Sequence, residues 1–93
     1  MTKNNISDFI EDHQCDDDKD TVLIDGQETA FIGCTRTDIG MSAVYSYNKI
    51  IDNLMSDGCT YEEAAEYFDY NIERGIEYIT EGIKPTILYT YSS

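Results

Sequence analysis

Three aspartates at alternate positions are the first residues whose spacing suggests chemistry. Asp16, Asp18 and Asp20 match the first half of a calcium loop, in which oxygen ligands at positions 1, 3 and 5 surround the ion. The second half does not match, because Thr21 stands where the loop needs glycine and Gln27 stands where it needs a bidentate glutamate. We therefore interpret the aspartates as a solvated acidic run without a bound metal, with calcium binding as the minor alternative.

Zinc or nucleophilic chemistry would need a histidine close to other reactive groups. The only histidine, His13, lies near Cys15, and these two residues could supply two zinc ligands. Cys34 and Cys59 stand alone, so no second pair completes the four ligands of a structural site. A serine or cysteine nucleophile needs an adjacent base, and His13 lies in a stretch too acidic to pack. The sequence thus predicts neither enzyme activity nor a cofactor.

A regularly spaced set of carboxylates offers a different chemistry. A capping box predicts a helix that begins at Thr60, because the Thr60 hydroxyl and the Glu63 carboxylate can each accept an amide hydrogen bond. At 100° per residue, one flank of this helix carries Glu62, Glu66, Asp69 and Glu73. General acid catalysis needs a carboxylate whose pKa is raised by burial, which a solvated helix edge does not provide. Spread over roughly 16 Å at 1.5 Å per residue, the four charges instead resemble a nucleic-acid backbone, with its phosphate every ~3.4 Å along each strand.

Tyrosines lie on the other faces of the same helix. The predicted core stripe consists of Tyr61, Ala64, Ala65, Phe68 and Ile72. The second exposed flank consists of Glu63, Tyr67, Tyr70 and Arg74. Tyrosine rings stack on arginine and are enriched at interface hot spots, so Tyr67 and Tyr70 are candidate partner-binding residues. Tyr89 and Tyr91 near the end of the chain offer similar rings.

The composition is strongly acidic. The 93 residues contain 6 Lys+Arg and 19 Asp+Glu, which gives a formal net charge of −13. Such a chain is repelled by DNA, RNA and anionic lipid, so we expect no direct binding to nucleic acid or membrane. No apolar run approaches the ~20 residues of a membrane span. Three cysteines cannot all pair, and the N-terminus lacks the apolar region of a signal peptide, so we expect a reducing cytoplasm.

The chain divides at about residue 20. Residues 1–20 are interpreted as an acidic tail with one short helical turn over residues 7–12. The seven acids from Asp8 to Asp20 leave too little apolar surface to offset the entropy lost when the chain is ordered. Residues 21–93 form one domain. Strands are predicted over residues 21–24, 30–35, 43–47 and 86–91, and helices from residue 48 to Gly58 and from Thr60 onward. The β-β-β-α-α-β order predicts an α+β fold, with a helical hairpin packed on one face of a small antiparallel sheet.

The helical hairpin carries a family resemblance. Residues 43–55, Gly58 and residues 60–64 and 66–72 resemble a class of small uncharacterised proteins encoded by tailed bacteriophages, over about half the chain. Gly75, Tyr78, Gly82 and Pro85 stand where that class has a glycine-rich turn and a proline before a final strand. The residues Ile76 and Glu77 and the acidic tail depart from the class. The resemblance implies the α+β fold and a phage origin, and it brings no catalytic residue.

Two functions follow as hypotheses. Small phage proteins often act on host machinery, including restriction and CRISPR systems, so the first hypothesis is a non-enzymatic inhibitor that works in the host cytoplasm. It would mimic nucleic acid and bind a basic nucleic-acid-handling host protein or defence complex. Its predicted partner-binding residues are Asp16, Asp17, Asp18, Asp20, Glu62, Glu66, Tyr67, Asp69, Tyr70 and Glu73. The second hypothesis is a self-associating accessory or structural module, which forms a homodimer through the edge of a final strand over residues 87–91.

Overall fold

A computed structural model describes residues 3–90, with side chains from residue 5 onward. The strands are β1 (Phe31–Thr37), β2 (Gly40–Ser46) and β3 (Thr86–Leu88), and the helices are α1 (Lys3–Glu11), α2 (Tyr47–Ser56), α3 (Tyr61–Tyr67) and α4 (Arg74–Glu77). A π-helical segment, Phe68–Glu73, joins α3 to α4, so residues 61–77 form one continuous helix that we call the long helix. A 3-10 turn, Glu28–Ala30, precedes β1. None of the described helices has the length and apolar content to cross a membrane.

The three strands form one sheet in the order β1-β2-β3. The α+β class is therefore confirmed, and β1 pairs antiparallel to β2 as a hairpin. The expectation of a wholly antiparallel sheet is wrong, because β3 pairs parallel to β2. The chain between β2 and β3 passes through both helices, and such a crossover returns it in the same direction. Tyr91, the last residue of the predicted final strand, lies outside the described residues.

The predicted first strand, residues 21–24, is not a strand. Its backbone makes one parallel bridge, between Thr21 and Ile83. The Val22 N–H donates to the Ile83 carbonyl at 3.0 Å in this bridge, whereas the Ile24 N–H donates to the Tyr45 hydroxyl at 3.1 Å. Leu23 and Ile24 nevertheless pack against the core. The apolar composition of this segment therefore reports burial of its side chains, and it does not report sheet pairing.

The central strand places the core on one face of the sheet. Met41, Ala43 and Tyr45 of β2 are buried and alternate along the strand. Ser46 ends the strand and caps α2, because its hydroxyl accepts a hydrogen bond from the Lys49 amide. Tyr47, predicted as the last residue of a strand, is therefore the first residue of α2.

Helix α1 packs into this core. Ile6 and Ile10 are 0% and 3% exposed and belong to the same cluster of buried residues as β2 and α2. The Phe9 ring lies 6.0 Å from the Phe31 ring in an edge-on contact. The prediction that the acidic stretch buries too little surface to order is thus wrong over α1. The reason is that Ile6 and Ile10 share one helix face at i, i+4 spacing and bury apolar surface together, although acids begin at Asp8.

Gly40 at the start of β2 is a position where the fold needs glycine. Its φ is +139°, and a Cβ there would lie 2.6 Å from Ile83 Cδ1 and 2.9 Å from Asp18 Cβ. We expect Gly40→Ala to destabilise the protein by about 1–3 kcal/mol more than Gly33→Ala, measured by urea denaturation. Gly33 is the matched control, because its φ is +155° and its position has no atom within 4 Å of the added Cβ. Equal losses in the two variants would show that the loop containing Asp18 does not pack on Gly40.

Candidate functional site

The long helix starts as the capping box predicts. The Thr60 hydroxyl accepts from the Glu63 amide at 3.2 Å, and the Glu63 carboxylate accepts from the Thr60 amide at 2.9 Å. The Thr60 amide, followed by its hydroxyl, lowers the pKa of Glu63 below its usual value. The two hydrogen bonds satisfy backbone N–H groups at the start of the helix. Glu63 is thereby engaged in the cap, while its neighbour Glu62 stays free to face solvent.

The four carboxylates predicted for one helix flank are all exposed. Among the side chains that the structure describes, Glu62, Glu66, Asp69 and Glu73 have no lysine or arginine nitrogen within 4.0 Å. The nearest basic residue in sequence, Arg74, lies over the Tyr70 ring, with 5.2 Å between its Cζ and the ring centroid. These charges are therefore available to a partner and are not neutralised by the fold.

The four carboxylates do not form one straight row. The row was predicted from a rotation of 100° per residue. Residues 68–73 form a π-helix, which has more residues per turn, so the side chains from residue 68 onward point in other directions than an α-helix would give. The charges of Glu73 and Asp69 lie close enough to raise the pKa of the Tyr89 hydroxyl, after burial, which is the larger cause. Glu62 and Glu66 precede the π-helix and keep the ordinary helical spacing. The flank is thus split into a pair before the π-helix, Glu62 and Glu66, and a pair within it, Asp69 and Glu73.

Contacts of the Asp18 side chain hold the acidic run of residues 16–20 in place. Asp18 accepts from the Cys15 amide at 2.8 Å and pairs with Arg36 at 3.3 Å, and its side chain is only 10% exposed. These contacts, the Cys15 amide first and Arg36 second, lower the pKa of Asp18. Asp16, Asp17 and Asp20 remain exposed. Within the described part of the chain, no three acidic, cysteine or histidine side chains converge as a metal site would require.

The acidic run and the middle of the long helix lie at opposite ends of β2. Asp18 packs against Gly40 at the beginning of the strand, whereas Phe68 contacts Tyr47 just beyond its end, with 4.9 Å between ring centroids. Seven residues of strand separate the two places by about 20 Å. The chain after the long helix returns to the acidic run, where the Ile83 amide donates to the Asp20 carbonyl at 2.7 Å. Asp20 and Glu81 line a common cleft there.

The two tyrosines predicted to bind a partner have different surroundings. Tyr70 is 61% exposed and carries Arg74 on its ring. Tyr67 is 47% exposed and lines a cleft of about 280 Å³ with Leu23, Ile24 and Pro85. Tyr67 therefore faces the segment before β1, and the two rings do not form a single patch with the acidic flank.

A cluster of tyrosines at the start of the long helix was missed. The Tyr47 ring lies 4.7 Å from the Tyr89 ring and stands edge-on to Phe68. Tyr61, predicted for the core stripe, is 59% exposed, because it is the first residue after the cap and lies beyond the buried part of the helix. Tyr61 and Tyr47 line the same cleft. Three separate elements supply Tyr47, Tyr61 and Tyr89, so no local spacing in the sequence could reveal the cluster.

No protein-family model, no curated protein and no solved structure matches this chain. The resemblance to small proteins of tailed phages therefore stays a prediction. The described surface combines unpaired carboxylates on the long helix with exposed tyrosine rings.

Proposed function

We propose that this protein is a non-enzymatic inhibitor that binds a basic, nucleic-acid-handling protein by presenting carboxylates where that protein expects phosphates. The observation that carries the proposal is the exposed, unpaired state of Glu62, Glu66, Asp69 and Glu73 on one helix. A rigid helix holds these charges at fixed separations without the cost of ordering them at the moment of binding. Asp16, Asp17 and Asp20 extend the negative surface at the other end of the long helix.

The net charge of −13 supports the same conclusion. A field of one sign steers a basic partner toward the acidic surface and speeds the encounter. It also disfavours contact with nucleic acid itself, so the protein would compete with nucleic acid and would not join it in a complex. If the phage origin holds, a host defence nuclease or a CRISPR-type complex in the host cytoplasm is the target that fits this chemistry.

The proposal predicts a salt-sensitive partner. The full chain is immobilised and exposed to a bacterial lysate, and bound proteins are released with increasing salt and identified. We expect a basic nucleic-acid-handling protein that is retained near 50 mM salt and largely released by about 200 mM, because interactions between exposed charges are screened over this range. Captured proteins that resist 200 mM salt, or that have no basic nucleic-acid site, would contradict the proposal.

One observation favours the alternative, a self-associating module. Phe9 and Ile32 are 40% and 42% exposed and lie beside Phe31 and Gly33 in a small apolar depression next to the edge strand β1. Dimerisation through the edge of β3, as predicted from the sequence, would form fewer backbone hydrogen bonds, because that strand has only three residues. A homodimer would be recognised by sedimentation as a species whose mass is unaffected by salt.

A further inference from the structure

The tyrosine cluster borders a cleft at the exposed side of α2. The cleft, about 380 Å³, is lined by the Tyr47 and Tyr61 rings, by Ile51 and Met55, and by the side chains of Asn48 and Asp52. Its lining therefore combines aromatic and apolar side chains with polar ones, including one carboxylate. The region was not among the residues predicted to bind a partner.

The fold holds the aromatic rings in place before any partner arrives. Tyr47 is wedged between Phe68 and Tyr89, with ring centroids 4.9 Å and 4.7 Å away. The residue after Tyr89 is fastened to α2, because Asn48 donates to the Thr90 hydroxyl at 2.8 Å. The outer rings, Tyr61 and Tyr89, are each 59% exposed. Binding on these rings would cost little side-chain ordering.

Negative charge surrounds the rings on more than one side. Asp52 reaches the cleft from α2. Asp69 follows Phe68, whose ring packs edge-on against Tyr47. Burial raises the pKa of the Tyr89 hydroxyl, and the charges of Glu73 and Asp69 raise it further. None of these three carboxylates is paired with a described lysine or arginine. Aromatic faces beside unpaired carboxylates are the surroundings that a flat cation prefers.

We propose that this cleft accepts the guanidinium group of an arginine on the basic partner, an inference that rests on the function proposed above. A guanidinium is planar, so it can stack on an exposed tyrosine ring while its N–H groups donate to a carboxylate. A second copy of this chain is a poor source of the arginine. Arg36 is held by Asp18 and the His13 carbonyl, and Arg74 already lies over Tyr70.

The test uses a blocked arginine, N-acetyl-arginine-methylamide, titrated into the full chain while the tyrosine ring protons are followed by NMR. Blocked citrulline has nearly the same shape without the charge, and blocked lysine has the charge without the plane. We expect the arginine probe to shift the rings of Tyr47, Tyr61 and Tyr89 in a saturable way and to bind more tightly than either control. Equal affinity for blocked citrulline or blocked lysine would overturn the assignment.

Variants then locate the site. Tyr61→Leu should weaken binding of the arginine probe about two- to fivefold, the loss of one cation–π contact at an exposed position. Tyr78→Leu is the matched control, since Tyr78 is 77% exposed and does not line the cleft, and it should leave the affinity unchanged. Equal affinities in the two variants would overturn the proposal. If the lysate yields a salt-sensitive basic partner but the arginine probe does not shift the tyrosine rings, the arginine site is refuted and the proposed function stands. If the probe binds but no such partner is captured, only the proposed function is refuted.

Discussion

Replacing Glu62, Glu66, Asp69 and Glu73 with their amides is expected to weaken binding to the basic partner by roughly five- to a thousandfold. Each exposed ion pair is worth about 0.2–1 kcal/mol, so four together supply roughly 1–4 kcal/mol. The amides keep the size of the side chains, and the four residues are exposed, so the fold should be unaffected. The dissociation constant at low salt, together with the melting temperature of each variant, measures the effect.

A matched control separates this surface from net charge alone. The amide variant of Asp8, Glu11, Asp38 and Asp57 removes the same number of charges from other exposed positions. It should keep most of the affinity and lose only part of the long-range steering. If both variants weaken binding equally, the partner responds to total charge and the long helix is not the binding surface.

Ile6→Ala is expected to destabilise the protein by about 2–5 kcal/mol, which is a large part of the stability of a small domain. The side chain is 0% exposed and packs in the cluster that includes Ile10, Ala43 and Tyr45. Truncating it removes apolar burial and leaves a cavity between α1 and the sheet. The urea midpoint of unfolding measures the loss.

Ser7→Ala on the same helix is the control, because Ser7 is exposed and an exposed substitution usually changes stability by less than about 0.5 kcal/mol. Should Ile6→Ala unfold at the same urea concentration as Ser7→Ala, α1 would not be docked on the core in solution.

Local signals in the sequence predicted the parts of the fold that local contacts decide. The Thr60 capping box has the two hydrogen bonds expected from its spacing, and Gly58 follows the end of α2. The strands predicted over residues 30–35 and 43–47, on either side of a turn around Asp38, correspond to β1 and β2, whereas the hairpin expected between residues 21–24 and 30–35 does not form. Each of these features depends on residues only a few positions apart.

Distant contacts decide the features that were predicted wrongly. Docking of α1 depends on a core that closes only when β2 and α2 are in place around Ile6. The π-helix changes the helical phase after Tyr67, and a periodicity of 3.6 assumes that such a change is absent. The parallel pairing of Val44 with Thr86 is set by how the long helix crosses the sheet. The tyrosine cluster also depends on distant contacts, because Tyr47 lies in α2, Tyr61 begins the long helix and Tyr89 follows β3. This part of the candidate surface could therefore not be predicted from local sequence.

Competition between this protein and duplex DNA for the captured partner is the most direct test of the mimicry. The partner is first saturated with a fluorescent duplex, and the protein is then added while the anisotropy is recorded. We predict that the wild-type chain displaces the duplex, and that the variant with four amides on the long helix does so only at a much higher concentration. A ternary complex, in which the partner holds the duplex and this protein together, would contradict the account.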